Sequence, residues 1–161
     1  DPETAEELRE LTTYDEDTAG GLMTTEFVWI YPHRTVGATI AKIREIAPET
    51  EFIYYLYVTD HAKKLLGVLS LRTLLLADPG AAIHSIMDVD LVSVSTDTSA
   101  EDVAAMIARY DLLACPVLSP VGSMLGIVTV DDAIDAIIPE RLKRKLPRFT
   151  RHHQRSVEKA L

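Results

Sequence analysis

The feature that most narrows what this chain can fold into is that it repeats itself. Leu22-Met23-Thr24 recurs as Ile86-Met87-Asp88, and the run Thr35–Ile43 recurs as Ser99–Ile107, both displaced by 64 positions. Leu66-Gly67-Val68-Leu69-Ser70 recurs as Leu125-Gly126-Ile127-Val128-Thr129, displaced by 59. Self-similarity at this period means two copies of one supersecondary unit. The fall in displacement puts the extra residues of the first copy between Ile43 and Gly67, with Pro48-Glu49-Thr50-Glu51 as the longer loop.

Each copy reads as strand–helix–strand–strand–helix, an α/β unit. Short strands are predicted near Phe27–Tyr31 and Leu91–Val94. A helix follows each, opened by Thr35 in one copy and by Thr98 or Ser99 in the other, because a hydroxyl there accepts from the free first-turn amides. Ile40 and Ile43, then Val103, Met106 and Ile107, recur at helical spacing and mark the buried faces. Two apolar strands come next in each copy, Ile53–Thr59 with Leu66–Ser70 and Ala114–Leu118 with Leu125–Val128, joined by polar or Pro/Gly-bearing turns. Closing helices are expected at Leu71–Ala77 and Val130–Ile138. One copy cannot cover both faces of so small a sheet, so the two are expected to pack as a pseudo-twofold pair.

Composition sets the class. Apolar residues make up 47% and charged residues 25% of the 161, a globular balance. The single cysteine, Cys115, lies in an apolar stretch and reads as a buried reduced thiol of a cytosolic protein. No apolar run approaches the ~18–20 residues of a membrane span, and no signal peptide opens the chain. The start at Asp1, without a Met, reads as a fragment of a longer protein. Residues 1–138 carry 23 Asp/Glu against 8 Lys/Arg, net −15, whereas residues 139–161 carry 8 Lys/Arg against 2 Asp/Glu, net +6. An acidic body disfavours nucleic acid and favours cations. There is no metal-ligand Cys/His set, nucleophile elbow or phosphate loop, so no enzyme is expected. Trp29 and the tyrosines Tyr54, Tyr55 and Tyr57 fall in strands, where core packing is their expected role.

Met87, Pro116-Val117 and Gly126-Ile127-Val128-Thr129-Val130-Asp131-Asp132 resemble the markers of CBS repeats, and the resemblance spans residues ~20–138 in two co-linear copies. A narrower likeness is carried by Tyr14-Asp15-Glu16-Asp17-Thr18-Ala19-Gly20-Gly21-Leu22-Met23-Thr24, Ile53-Tyr54-Tyr55-Leu56-Tyr57-Val58, Ala77-Asp78-Pro79 and Tyr110-Asp111. These stretches resemble the cytosolic part of MgtE-type magnesium channels. The resemblance implies residues 1–19 as the end of a preceding helical domain and its junction. It implies residues 20–80 and 81–138 as the two CBS repeats, and 139–161 as a basic tail or linker. It also implies a homodimer formed through the repeats, a transmembrane channel domain in the same chain, a place on the cytoplasmic side of the membrane, and Mg2+ with ATP or another adenine nucleotide as ligands.

In CBS repeats the Thr hydroxyl and Asp carboxylate of the Thr-x-x-Asp ending contact phosphate and ribose, which here are Thr129 and Asp132. Asp111, Ala114 and Pro116 are expected to line the same cleft. A plainer reading makes Thr129 the cap of the last helix, with Asp131 and Asp132 in its first turn. The first copy has Ser70-Leu71-Arg72-Thr73, with Thr where the Asp belongs, so at most one nucleotide per chain is expected. For magnesium, which takes oxygen ligands and keeps several waters, the candidates are Asp15, Asp17, Asp97, Glu101, Asp102, Asp131 and Asp135. The plainer reading of each is a solvated acidic surface. Where the channel family continues with an acidic helix, this chain reads Glu140-Arg141-Leu142-Lys143-Arg144-Lys145, which suits an anionic membrane surface or an acidic partner. That departure also leaves room for a second identity, a soluble CBS-pair protein acting as an adenine-nucleotide sensor or adaptor with no channel.

Overall fold

A computed structural model describes residues 14–49 and 53–143. Most of the expected preceding helical segment and most of the basic tail therefore lie outside the described residues. A short helix α1 (Ala19–Leu22) precedes the first copy, which runs β1 (Val28–Ile30), α2 (Val36–Ile46), β2 (Tyr55–Thr59), β3 (Leu65–Ser70) and α3 (Leu71–Leu76). The second copy runs β4 (Val94–Ser95), α4 (Ala100–Tyr110), β5 (Ala114–Leu118), β6 (Met124–Thr129) and α5 (Val130–Ile137), followed by α6 (Glu140–Lys143). The strand–helix–strand–strand–helix order is thus present twice. Each copy forms a three-stranded sheet, β1-β2-β3 or β4-β5-β6, in which the first pair is parallel and the second antiparallel. Both hairpins shift register at equivalent places, Val58/Thr59 and Val117/Leu118.

The length difference falls where the repeat displacement puts it. Residues 47–54 separate α2 from β2, with a 3-10 turn at Ala47–Glu49 and with Thr50 and Glu51 of the expected loop outside the described residues, whereas Asp111–Leu113 alone join α4 to β5. The shorter connection is possible because Asp111 takes left-handed backbone geometry (φ 53°) and ends α4 abruptly. The strand expected at Leu91–Val94 is only Val94–Ser95. Upstream, the Asp88 carboxylate accepts from Asp90 N at 2.9 Å, a side-chain turn that competes with strand pairing. Of the two hydroxyls offered for α4, Ser99 is the cap, accepting from Asp102 N at 3.2 Å, while Thr98 Oγ1 accepts from Ser95 N at 3.1 Å.

The copies exchange their lead-in segments. Thr24 and Ile127 trade backbone hydrogen bonds at 2.9 and 3.0 Å, so the lead-in of the first copy lies on β6 of the second. Val68 and Asp88 trade bonds at 3.0 and 2.8 Å, laying the second lead-in on β3 of the first. One core therefore unites Val103, Ile107, Cys115 and Val128 with Ala19, Leu22 and Met23 from the other copy's lead-in. Its counterpart unites Val36, Leu56, Leu69 and Leu74 with Ile83, Ile86 and Met87. The point where one repeat ends in sequence is not where one packing unit ends. Between the sheets lies a third cluster of Tyr57, Leu65, Ala114, Met124 and Ile127, and the hairpin tips are tied by Leu65 N to Gly122 O (3.1 Å) and Met124 N to Lys63 O (2.8 Å).

Two aromatic side chains do not take the core role expected of them. Trp29 is 49% and Tyr54 41% exposed, while Tyr57 is buried between the sheets. β1 pairs with β2 alone, and on this outer strand alternate residues face opposite ways: Val28 and Ile30 pack under the helices, leaving Trp29 on the other face. Among the described residues no helix is long and apolar enough to cross a membrane.

Candidate functional site

The end of β6 turns directly into α5, and this corner holds Thr129 and Asp132. Thr129 is 1% exposed and sits at the capping position of α5, yet its side chain makes no cap bond. Its hydroxyl instead donates to Asp132 Oδ2 at 3.0 Å. The plain capping role is thus not the one the hydroxyl takes; it orients a carboxylate. Asp131 and Asp132 both lie exposed in the first turn of α5, where the helix dipole and free amide hydrogens favour negative charge.

The neighbouring strand completes the corner. Ala114 is the register partner of Thr129, Pro116 that of Ile127, and both are buried. Val130 N donates to Leu113 O at 2.9 Å, which joins the start of α5 to the start of β5. Asp111 is exposed at the end of α4, two residues before Leu113. Ala114, Thr129 and Asp132 therefore converge, with Pro116 two residues further along β5. A residue outside the sequence reading also reaches this place: Tyr55 Oη, from the first copy, accepts from Leu113 N at 3.1 Å. Periodicity assigns Tyr55 to a strand but gives no sign that it bridges the copies.

The matching corner of the first copy differs in chemistry. Ser70 Oγ caps α3 by accepting from Thr73 N at 3.1 Å and lies 3.0 Å from Thr73 Oγ1. A neutral hydroxyl pair stands where the second copy has a hydroxyl on a carboxylate, so this corner lacks the charged acceptor that a ribose diol prefers.

The candidate magnesium ligands fall into two groups. Asp17 O accepts from Ala100 N at 2.8 Å, which places Asp17 beside Glu101 and Asp102 at the start of α4. Asp15 lies one turn earlier, its carbonyl held by Thr18 N and Thr18 Oγ1. Asp97, in the turn before α4, accepts from Ser95 Oγ. The second group, Asp131 and Asp135, lies four residues apart on one face of α5. All seven carboxylates are exposed, and among the described residues no three His, Cys, Asp or Glu side chains converge to hold an ion. This donor set fits a hydrated divalent cation bound by one or two carboxylates, not a closed protein cage. Burial pushes the Cys115 thiol up to about 12, so it is an inert core group and no metal-binding thiolate.

The family model described as "CBS domain" matches residues 19–80 and 83–139. The magnesium transporter MgtE of Thermus thermophilus is 46% identical over 140 residues, covering 87% of this chain and 31% of that protein. The magnesium transporter MgtE of Enterococcus faecalis is 44% identical over 138 residues, covering 86% of this chain and 30% of that protein. The chain thus spans about a third of the length of the curated relatives it matches. A crystal structure of the cytosolic domain of the Mg2+ channel MgtE in complex with ATP superposes with a TM-score of 0.79 at 46% identity, over 85% of this chain and 55% of that one.

Proposed function

We propose, from the premise that the chain belongs to the CBS-domain family, that it is the cytosolic sensing region of a magnesium transporter whose remaining length forms the ion path. The observation that carries this reading is the 46% identity to a magnesium transporter over 87% of the chain. Adenine nucleotide binds at the second copy, with Asp132 accepting from the ribose hydroxyls, Thr129 holding that carboxylate in place, and Ala114 and Pro116 flooring the cleft with Asp111 at its rim. A relative's cytosolic domain solved in complex with ATP supports an adenine nucleotide as the ligand.

Magnesium is taken up, largely hydrated, by the exposed carboxylates Asp15, Asp17, Asp97, Glu101, Asp102, Asp131 and Asp135. Two copies associate through the helical faces, where Leu75 and Leu76 of α3 and Ile134 and Ile137 of α5 are exposed. Bodies of net charge −15 repel one another across such an interface, and divalent ions relieve the repulsion. Occupancy by Mg2+ therefore favours a compact pair, and loss of the ion loosens it. A second reading, a CBS-pair adaptor without a channel, draws on the net +6 of residues 139–161, where the channel relatives are expected to be acidic.

Calorimetry of the chain with Mg2+ and with ATP, alongside small-angle scattering, tests the proposal. Millimolar magnesium should bind and contract the dimer, and Asp132→Ala should weaken ATP at least tenfold, equivalent to about 1.4 kcal/mol, with the fold retained and the melting temperature lowered by the loss of the Thr129 hydroxyl's acceptor. If neither ligand binds and scattering ignores Mg2+, the sensing reading fails; ATP binding with indifference to Mg2+ favours the adaptor.

A further inference from the structure

We infer that a second ligand cleft, separate from the Thr129–Asp132 corner, lies near the hairpin tips and takes a planar aromatic anion. A cavity of about 450 Å³ opens there between the two copies, and neither Thr129 nor Asp132 lines it. That volume lies within the range of small-molecule sites. Its wall carries two aromatic rings, Phe27 and Trp29, three hydroxyls, Thr25, Thr59 and Ser123, and one cation, Lys63. This combination matches an aromatic ring bearing a phosphate or carboxylate: the rings stack it, the lysine meets its charge and the hydroxyls orient it.

Three features set the cleft apart from ordinary packing. Trp29 is half-exposed, and its ring is held edge-on by Tyr31 at 5.3 Å, which leaves area on the cleft side uncovered. Lys63 adopts a left-handed backbone (φ 62°) in a turn whose carbonyl is fixed by Met124 N, so its side chain starts from a set place on the rim. Its ammonium makes no ion pair within 4 Å among the described residues.

The pseudo-twofold symmetry supplies the control. Adding the repeat displacements carries Phe27 to Leu91, Trp29 to Ser93, Thr59 to Leu118 and Lys63 to Gly122. Gly122 has the same left-handed geometry (φ 85°), so the turn itself needs a residue that tolerates positive φ and has no need of a lysine. The turn geometry is shared by both sides, and so is a lysine, since Lys64 packs over Gly122; the two aromatic rings are present on one side, where Leu91 and Ser93 stand on the other.

Trp29 is the sole tryptophan of the chain, so its emission reports on this cleft. The full chain is titrated with AMP, with 4-hydroxybenzoate and with inorganic phosphate, at 295 nm excitation, and the same ligands are followed by calorimetry in Trp29→Phe. Saturable quenching by AMP, by the aromatic carboxylate or by both, weakened at least fivefold in Lys63→Gln and unchanged in Asp132→Ala, supports the cleft and tells which anion it takes. Absence of saturable change with either ring compound overturns it, as does equal quenching by phosphate alone. Loss of the signal in Asp132→Ala also overturns it and assigns the binding to the other corner. In Trp29→Phe, calorimetric affinity should fall at least threefold with the melting curve intact; undiminished affinity counts against the stacking role.

Discussion

Gly126→Ala tests the exchange of lead-in segments on which the pairing of the two copies depends. A Cβ at this position meets Thr24 O at 2.8 Å, Met23 Sδ at 2.9 Å and Met23 Cγ at 3.0 Å. The carbonyl is itself fixed, accepting from Ile127 N at 3.0 Å while Thr24 N donates to Ile127 O at 2.9 Å. Relief therefore requires the lead-in to move off β6, which stretches two backbone hydrogen bonds worth ~1 kcal/mol each. Overpacking adds about 1–3 kcal/mol. Alanine recovers ~0.5–1 kcal/mol because it loses less backbone freedom than glycine on folding. The balance is a net loss of roughly 2–4.5 kcal/mol, read as a lowered urea midpoint at unchanged slope. Gly67→Ala is the built-in comparison. There the tight contacts are Met87 Sδ at 2.5 Å and Cγ at 2.8 Å, whereas the Asp88 carbonyl stands at 3.1 Å. A thioether swings aside more easily than a bonded carbonyl, so Gly67→Ala should cost about half as much. A Gly126→Ala protein within about 0.5 kcal/mol of the parent refutes the reasoning, since so small a change is the mark of a site where nothing is crowded; so does Gly67→Ala proving the costlier.

Other outcomes follow from single side chains. Tyr57 is buried, and its hydroxyl has no hydrogen-bond partner among the described residues, so Tyr57→Phe should be neutral or stabilise by up to ~1 kcal/mol in chemical denaturation, and a loss beyond ~1 kcal/mol would reveal a hidden partner. Ser99→Ala removes the cap of α4 and should cost ~1 kcal/mol, whereas Thr129→Ala, which removes no cap bond, should act first on nucleotide affinity in calorimetry. The Cys115 thiol, pushed up to about 12 by burial, stays protonated in the fold at pH values where the unfolded chain ionises. The unfolded state then binds fewer protons, so this group's stability contribution is complete below pH ~8.5 and declines as pH rises toward 12. Denaturation at pH 8 and pH 10 should show the decline in the parent and a smaller one in Cys115→Ala, where buried Tyr57, also pushed up by desolvation, still contributes near pH 10.

The repeat itself, its strand–helix–strand–strand–helix order and the loop that lengthens the first copy were all legible in the chain. Each rests on local pattern: helical spacing in Val103, Met106 and Ile107, capping hydroxyls at Thr35 and Ser99, and glycines before each closing helix. The difference between the two corners was legible too, because Thr73 against Asp132 is a difference of residue type at one aligned position. What the pattern does not carry is which copy a segment touches. Met23 lies over Gly126 and Met87 over Gly67, although each Met belongs in sequence to the other repeat. Tyr55 reaches Leu113 across the whole first copy, and Trp29, a strand aromatic by pattern, stands half in solvent. Alternation along a strand tells which residues share a face, but not which face the partner sheet will cover. That is decided only when two sheets with exchanged lead-ins close on each other, burying Tyr57 between them and leaving Trp29 at the edge.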